Sequence, residues 1–289
     1  MNTIHKPDYD QLLPKFDKSN LWFNNNSSFI PNNSVFREPQ NETLSITERA
    51  YLLFQDIKGL EKIKVKIYRA LLQDDRNIAI MLIGAAACGK TELFKIVEDN
   101  CNGVIFYDAA AGSTGAGLFE TLRRNKRAKV LVIDEISELK KNEIDMIRGL
   151  ANNGRVSKTL KNDSIDFYMK GLKIFATTNN PTKLSAPIKS RFQMYHIEPY
   201  TDTEFIEILK FRLLKMNIVD PALDQEDREK FALELSYAML KYRIKNIRKA
   251  LQVCSLIHKD DNYEEIKNEI ESYIELDGSD VNINYNEVY

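Results

Sequence analysis

Two textures of apolar and polar positions divide this 289-residue chain. Between Leu60 and Leu72, the residues Ile63, Ile67, Ala70 and Leu71 recur at helical spacing, which predicts an amphipathic helix. Ile78 to Ile83 is apolar without a break, as expected of a strand buried on both faces. The alternation continues with a helix over Lys90 to Asp99, a strand over Val104 to Tyr107 and a short helix over Leu118 to Arg124. Val130 to Ile133 is a third strand in which every residue is β-branched or Leu. Glu138 to Ala151 reads as one helix with Ile144, Ile147 and Leu150 on one side. Leu172 to Thr178 and Gln193 to Ile197 supply the fourth and fifth strands. Short buried strands separated by helices predict an α/β core, a five-stranded parallel sheet covered on both faces.

After Pro199 the strand pattern stops. Glu204 to Met216, Glu226 to Leu240 and Ile244 to His258 read as three amphipathic helices, expected to form a small all-α domain. The predicted organisation is an irregular arm over 1–45, the α/β core over 46–200, the helical domain over 201–258 and an acidic segment over 259–289. That last segment is expected to hold a helix from Tyr263 to Ile274 and a solvated tail. The arm is rich in Asn and Pro and has no Gly. Its apolar residues, Trp22, Phe23, Phe29 and Phe36 among them, allow packing on the body or a neighbouring subunit; a floppy tail is the alternative. No internal repeat or heptad array is present.

Composition narrows the classes. With 43% apolar residues the chain has enough for a core, which excludes wholesale disorder. No apolar run approaches the ~18 residues of a membrane span. Met1 to Lys18 has no apolar centre, so neither membrane insertion nor a secretory signal is expected. Cys88, Cys101 and Cys254 do not make a disulfide scaffold, which suggests a reducing, cytoplasmic setting. Charge is balanced, 41 Lys+Arg against 42 Asp+Glu, so a site for a polyanion has to be a local patch. Arg123, Arg124, Lys126, Arg127 and Lys129 form one such run, with Lys140, Lys141, Lys158 and Lys161 nearby in sequence. They read either as phosphate-tracking residues of a pore or as solvated helix ends. The Gly112 to Gly117 loop reads either as a pore loop or as a simple strand-to-helix turn.

The strongest chemical signal is Gly84-Ala85-Ala86-Ala87-Cys88-Gly89-Lys90-Thr91, which fits G-x-x-x-x-G-K-[ST]. A chance match in a chain this long is on the order of one in a hundred at ordinary Gly usage. The motif leaves a predicted strand and opens a predicted helix, where successive backbone N–H groups favour an anion. Gly84 and Gly89 allow the tight turn, Lys90 is placed to reach the β/γ-phosphates and Thr91 offers a hydroxyl to Mg²⁺. Cys88 inside the loop reads as a small filler, with oxidation as the alternative. The second piece is Val130-Leu131-Val132-Ile133-Asp134-Glu135, which delivers two carboxylates to the C-terminal edge of the sheet, where ligands bind in open α/β folds. Asp134 is the expected Mg²⁺ partner and Glu135 the expected base. His5, His196 and His258 have no Cys partner at ligand spacing, and no Ser-His-Asp arrangement or CxxC is present.

From about Phe54 to Leu256 the chain resembles the AAA+ ATPases, P-loop motors that usually work as rings. The resemblance implies a P-loop NTPase core with an all-α lid, ATP and Mg²⁺ as cofactors, and a homo-oligomeric ring, hexameric by preference. Phe54-Gln55-Asp56-Ile57-Lys58-Gly59 looks like the entry box, which would place Ile57 and Gly59 beside the adenine. Ala176-Thr177-Thr178-Asn179 looks like sensor 1, so Asn179 would orient the attacking water beside Glu135. Ser190-Arg191-Phe192 looks like the arginine-finger box, with Arg191 entering a neighbour's site; a surface ion pair is the alternative on its residues alone. Asn246-Ile247-Arg248-Lys249-Ala250 looks like sensor 2, with Arg248 facing the γ-phosphate, although capping or solvation would also suit Arg248, and Arg243 competes for the role. Two β-type runs flank a turn at Lys161 to Ser164, ahead of sensor 1. That hairpin resembles the clade of the RuvB junction motor, the MCM helicases and the MoxR-type ATPases, and Gly112 to Leu118 looks most like small archaeal RuvB-like ATPases. RuvB carries a winged-helix domain after its lid, whereas an acidic segment of about 30 residues follows here, so a RuvB-like motor core without the winged helix is expected. DNA is the first expected partner, a protein client of MoxR type the second, and a nucleotide-dependent scaffold the third.

Overall fold

The structure is a computed structural model that describes residues 44–111, 115–159, 164–258, 261 and 263–277. The arm over 1–43, the first half of the Gly112 to Gly117 loop, the hairpin tip and the tail from 278 therefore lie outside the described residues.

Five parallel strands form the core: β1 (Ile78–Gly84), β2 (Val104–Asp108), β3 (Val130–Asp134), β6 (Lys173–Thr178) and β7 (Gln193–Ile197). Their spatial order is β2-β3-β6-β1-β7, so each predicted strand forms and β1 and β6 lie at the centre. Register pairs Met81 with Ala176 on one side and with Met194 on the other. Successive residues of β1 point to opposite faces. Met81 and Ile83 join one apolar layer, with Leu131, Ile133, Leu122 and Ile147. Ile80 and Leu82 join the other, with Val132, Leu93, Phe94 and Ile67. Phe94 stacks on Phe175 at 5.3 Å between centroids. Each large side chain taken fully out of water contributes ~1.5–3 kcal/mol, which is why continuous apolar runs become central strands.

The helices covering these faces are α1 (Ile46–Leu53), α2 (Glu61–Leu71), α3 (Lys90–Asn100), α4 (Gly115–Arg124), α5 (Lys141–Asn153) and the short α6 (Ala186–Lys189). Helix α1 is an addition to the expected set. Its start carries a reciprocal cap, in which Ser45 N–H donates to Glu48 at 2.8 Å and Glu48 N–H to Ser45 Oγ at 3.2 Å. The single helix expected over Glu138 to Ala151 divides. Ile136–Glu138 form a separate 3₁₀ turn, Lys140 is extended, and α5 starts at Lys141. The Glu143 carboxylate accepts from Lys140 N–H at 2.9 Å and so caps the later start. Between α5 and β6 the expected hairpin forms from β4 (Arg155–Thr159) and β5 (Ser164–Tyr168), antiparallel, with Val156 opposite Phe167.

The lid consists of α7 (Asp202–Lys215), α8 (Gln225–Lys241), α9 (Ile247–Cys254) and α10 (Tyr263–Asp277). Leu209, Leu213, Leu235, Met239 and Val253 form its core, and Ile270 and Ile274 of α10 are buried in the same cluster. The helix expected over Ile244 to His258 is shorter. Arg243 takes φ 60 and turns the chain out of α8, and extended Asn246 caps the new helix by accepting from Lys249 N–H at 3.2 Å. Tyr200 packs against both the core and the lid clusters, at the junction of the two. A phosphate-loop sequence leaving a central strand of this sheet, with helices on both faces and C-terminal helices beyond, is an α/β P-loop NTPase fold.

Candidate nucleotide site

Strand order brings the chemistry together. β6 lies between β3 and β1, so the residue that follows β6 sits between the loop after β1 and the acid pair after β3. That residue is Asn179. Its Oδ1 accepts from Lys90 Nζ at 2.8 Å, and its backbone N–H donates to Glu135 Oε1 at 3.0 Å.

Gly84 ends β1 with no room for a side chain, since a Cβ there would lie 2.5 Å from the Ile197 carbonyl oxygen. Gly89 has φ 83, and a Cβ on it would come within 2.8 Å of the Tyr200 hydroxyl. Lys90, the first residue of α3, is buried, and its ammonium also donates to the carbonyls of Gly84 at 2.9 Å and Ala85 at 2.6 Å. Cys88 is buried too, with its thiol donating to the Ala85 carbonyl at 3.0 Å, which matches the filler reading. Ala87 and Gly89 line the adjacent cavity, whereas Ala85 and Ala86 do not.

Asp134 ends β3 and accepts from Thr91 Oγ1 at 3.0 Å and from Thr177 Oγ1. Thr177, almost fully buried on β6, in turn accepts from Glu135 N–H at 2.9 Å. Glu135 takes the left-handed conformation, φ 55 and ψ 60. Its carboxylate accepts from Ser137 Oγ at 2.6 Å and Thr178 Oγ1 at 3.0 Å besides Asn179 N–H. A threonine hydroxyl and an aspartate are hard oxygen donors, the kind that hold Mg²⁺ together with phosphate oxygens. The residues present therefore fit that ion.

A cavity of about 450 Å³ opens between core and lid beside the loop. Ile57, Lys90, Thr91, Phe211, Arg248 and Leu251 are among its lining residues. Gly59 is not in the lining. Lys64, a lysine nearly without exposure, donates to the Ile57 carbonyl at 2.6 Å and holds the entry segment in place; burial lowers its pKa from the usual lysine value. Arg191 lies outside this cavity. It is exposed just after α6, and its guanidinium donates to Pro187 O at 3.2 Å and Ser190 Oγ at 2.8 Å. The sequence reading did not single out Ser137, Tyr200, Phe211 or Arg212, all of which touch the site. Tyr200 is half-buried against the loop, and burial pushes its phenol well above the ordinary value.

Much of the basic run is engaged. Arg123 and Arg124 both pair with Glu120, and the Arg123 hydrogen bond leads in holding that carboxyl down at about 2. Lys126 lies 5.0 Å from the centroid of the Phe167 ring. Among the described residues there is no group of three or more His, Cys, Asp or Glu placed to hold a metal, and no helix long and apolar enough to cross a membrane.

Residues 80–199 match the family model described as AAA, the ATPase family associated with various cellular activities. That supports an AAA+ ATPase. The matched segment runs from within β1 to just before Tyr200, and so contains the phosphate loop, both acids, the hairpin and Asn179. The lid and α1 lie outside it. No curated protein matches the chain.

Proposed function

We propose that this chain hydrolyses ATP in the cleft between core and lid, as one subunit of a homo-oligomeric ring, hexameric by preference, that drives DNA. The observation that carries the ATPase reading is the Lys90–Asn179–Glu135 chain of hydrogen bonds. It joins a phosphate-binding cation, a water-orienting amide and a base at one sheet edge. In this reading a water oxygen attacks the γ-phosphorus and its proton passes to Glu135. The bond from that phosphorus to the bridging oxygen breaks, and the electron pair leaves with ADP. Lys90 neutralises charge on the phosphates, and Arg248 faces the γ-phosphate from the lid. Ile57 lies toward the adenine, and the loop from Gly84 to Gly89 wraps the phosphates. Thr91 and Asp134 would hold Mg²⁺, whose chemistry there is neutralisation of developing charge. Arg191 acts across the interface in a neighbour's site. Three free, buried cysteines suit a reducing, cytoplasmic setting.

Support for DNA comes from the β4–β5 hairpin ahead of β6, the feature that the RuvB-containing clade shares. A second reading, a protein remodeller of MoxR type, draws support from the engagement of Arg123, Arg124 and Lys126 within the protein, which leaves less free positive charge for phosphates.

The test is steady-state ATP hydrolysis against protein concentration, with and without single-stranded, duplex and four-way-junction DNA, at two salt concentrations. Turnover that rises with concentration and is stimulated by DNA in a salt-sensitive way is expected. Turnover indifferent to every DNA but raised by a protein partner would replace DNA with a protein client. Wild-type turnover no higher than that of Glu135→Gln would leave a nucleotide-dependent scaffold.

A further inference from the structure

Glu135 carries more hydrogen bonds than its motif requires, and they fall unevenly on its two oxygens. Oε1 accepts from Ser137 Oγ at 2.6 Å, Thr178 Oγ1 at 3.0 Å and Asn179 N–H at 3.0 Å. Among the described residues, Oε2 has only a longer share of the Asn179 N–H, at 3.2 Å. The backbone is pinned as well, because Glu135 N–H donates to Thr177 and the residue sits in the left-handed region. A glutamate with this freedom of rotamers would otherwise sample several positions. Three donors from two elements, the turn after β3 and the end of β6, leave it one. They also fill the lone pairs of Oε1, so the oxygen with capacity left to accept a proton is Oε2.

We propose that Ser137 and Thr178 are positioning residues for hydrolysis, which clamp Glu135 Oε1 so that Oε2 takes the proton of the attacking water. Neither belongs to the phosphate-loop or acid-pair motif. The proposal rests on Glu135 acting as the base. Ser137 reaches it from the same turn, two residues on, and Thr178 reaches it because β3 and β6 pair directly. A base displaced by about 1 Å from its water loses on the order of 10²-fold in rate, with little effect on ground-state binding.

The experiment measures kcat and KM for ATP in Ser137→Ala, Thr178→Val and the double variant, with ATP affinity and thermal unfolding alongside. Thr178 Oγ1 also accepts from Asn180 N–H at 3.1 Å, whereas the Ser137 hydroxyl, among the described residues, bonds Glu135 alone, so Ser137→Ala is the cleaner single change. The expected result is a kcat lowered about 10- to 100-fold in the double variant, with KM and ATP affinity within about twofold. The hydroxyl-retaining pair Ser137→Thr and Thr178→Ser is expected to restore most of kcat. An unchanged kcat in both Ser137→Ala and the double variant, or a loss that tracks ATP affinity and is not rescued, overturns the proposal. Glu135→Gln separates the two levels. If it is inactive while the hydroxyl variants turn over normally, only the positioning role fails. If it retains near-normal turnover, the base assignment fails and the positioning role falls with it.

Discussion

Lys215 of the lid pairs with Asp56 of the core entry segment at 2.7 Å. Two further contacts from the same lid helix close on the core beside it. Arg212 lies 3.7 Å from Glu92, the residue after Thr91, and the Lys58 ammonium lies 5.2 Å from the Phe211 ring centroid. All six residues except Lys215 line the nucleotide cavity. The three contacts thus form a clasp at its edge, made by Phe211, Arg212 and Lys215 within the last two turns of α7.

The clasp predicts how nucleotide leaves. Each contact is partly exposed, and an exposed pair is worth only ~0–1 kcal/mol, so the clasp retards release without locking the cleft. Lys215→Glu is expected to speed dissociation of a fluorescent ADP about two- to tenfold, by the loss of attraction and the gain of repulsion. Adding Asp56→Lys to it restores the slow rate. Wild-type release also quickens with salt. Stopped-flow displacement measures all three, and a rate unmoved by Lys215→Glu contradicts the clasp.

Gly84→Ala tests the tightness of the loop. The added methyl meets the Ile197 carbonyl, which is backbone within the sheet and has little freedom to retreat. A destabilisation of about 1–3 kcal/mol is expected, together with weaker ATP binding, because the strain falls at the start of the phosphate loop. Thermal unfolding and ATP titration of the variant check the two parts separately.

The cysteines predict a pH effect. Burial pushes the Cys101 and Cys254 thiols up to about 12 from an ordinary value of 9.0. At pH 8 the thiolate fraction at either is on the order of one in ten thousand, so iodoacetamide is expected to leave both unlabelled in the native protein and to label them after unfolding. The linkage has a definite sign. Above pH 9 the unfolded chain loses these protons while the folded one keeps them, so folding stability falls as pH rises from about 9 to about 12. Denaturant unfolding across that range measures the slope.

Arg191 lies outside the cavity, and among the described residues its guanidinium bonds Pro187 and Ser190. If it completes a neighbour's site, Arg191→Ala and Glu135→Gln are each inactive alone. Mixed subunits then recover some turnover, because some interfaces pair an intact arginine with an intact base. Turnover measured against mixing ratio decides this, and no recovery at any ratio argues against an arginine acting in trans.

Much of the site was legible one segment at a time. The glycine spacing of the phosphate loop, the acids closing Val130 to Ile133 and the entry segment at Ile57 are local patterns; the loop follows β1, the acids stand at the end of β3 and Ile57 lines the cavity. The reciprocal cap of Ser45 and Glu48 was also written in the chain as S-x-x-E, yet α1 was not read from it, because its apolar face is short. The late start of α5 was harder to see. A carboxylate that caps Lys140 competes there with a helical pattern that runs on continuously from Glu138.

By itself the sequence determined the strands, the turn chemistry of the phosphate loop and the two acids at the sheet edge, since periodicity and glycine placement act over a few residues. Only the tertiary structure decided that Asn179 stands between Lys90 and Glu135, that Ser137 and Thr178 meet on one carboxylate oxygen, and that α7 closes on Asp56, Lys58 and Glu92. These relationships follow from which strands pair and where the lid docks. Both are settled by the burial of whole faces against each other, and that preference is not written in any single segment.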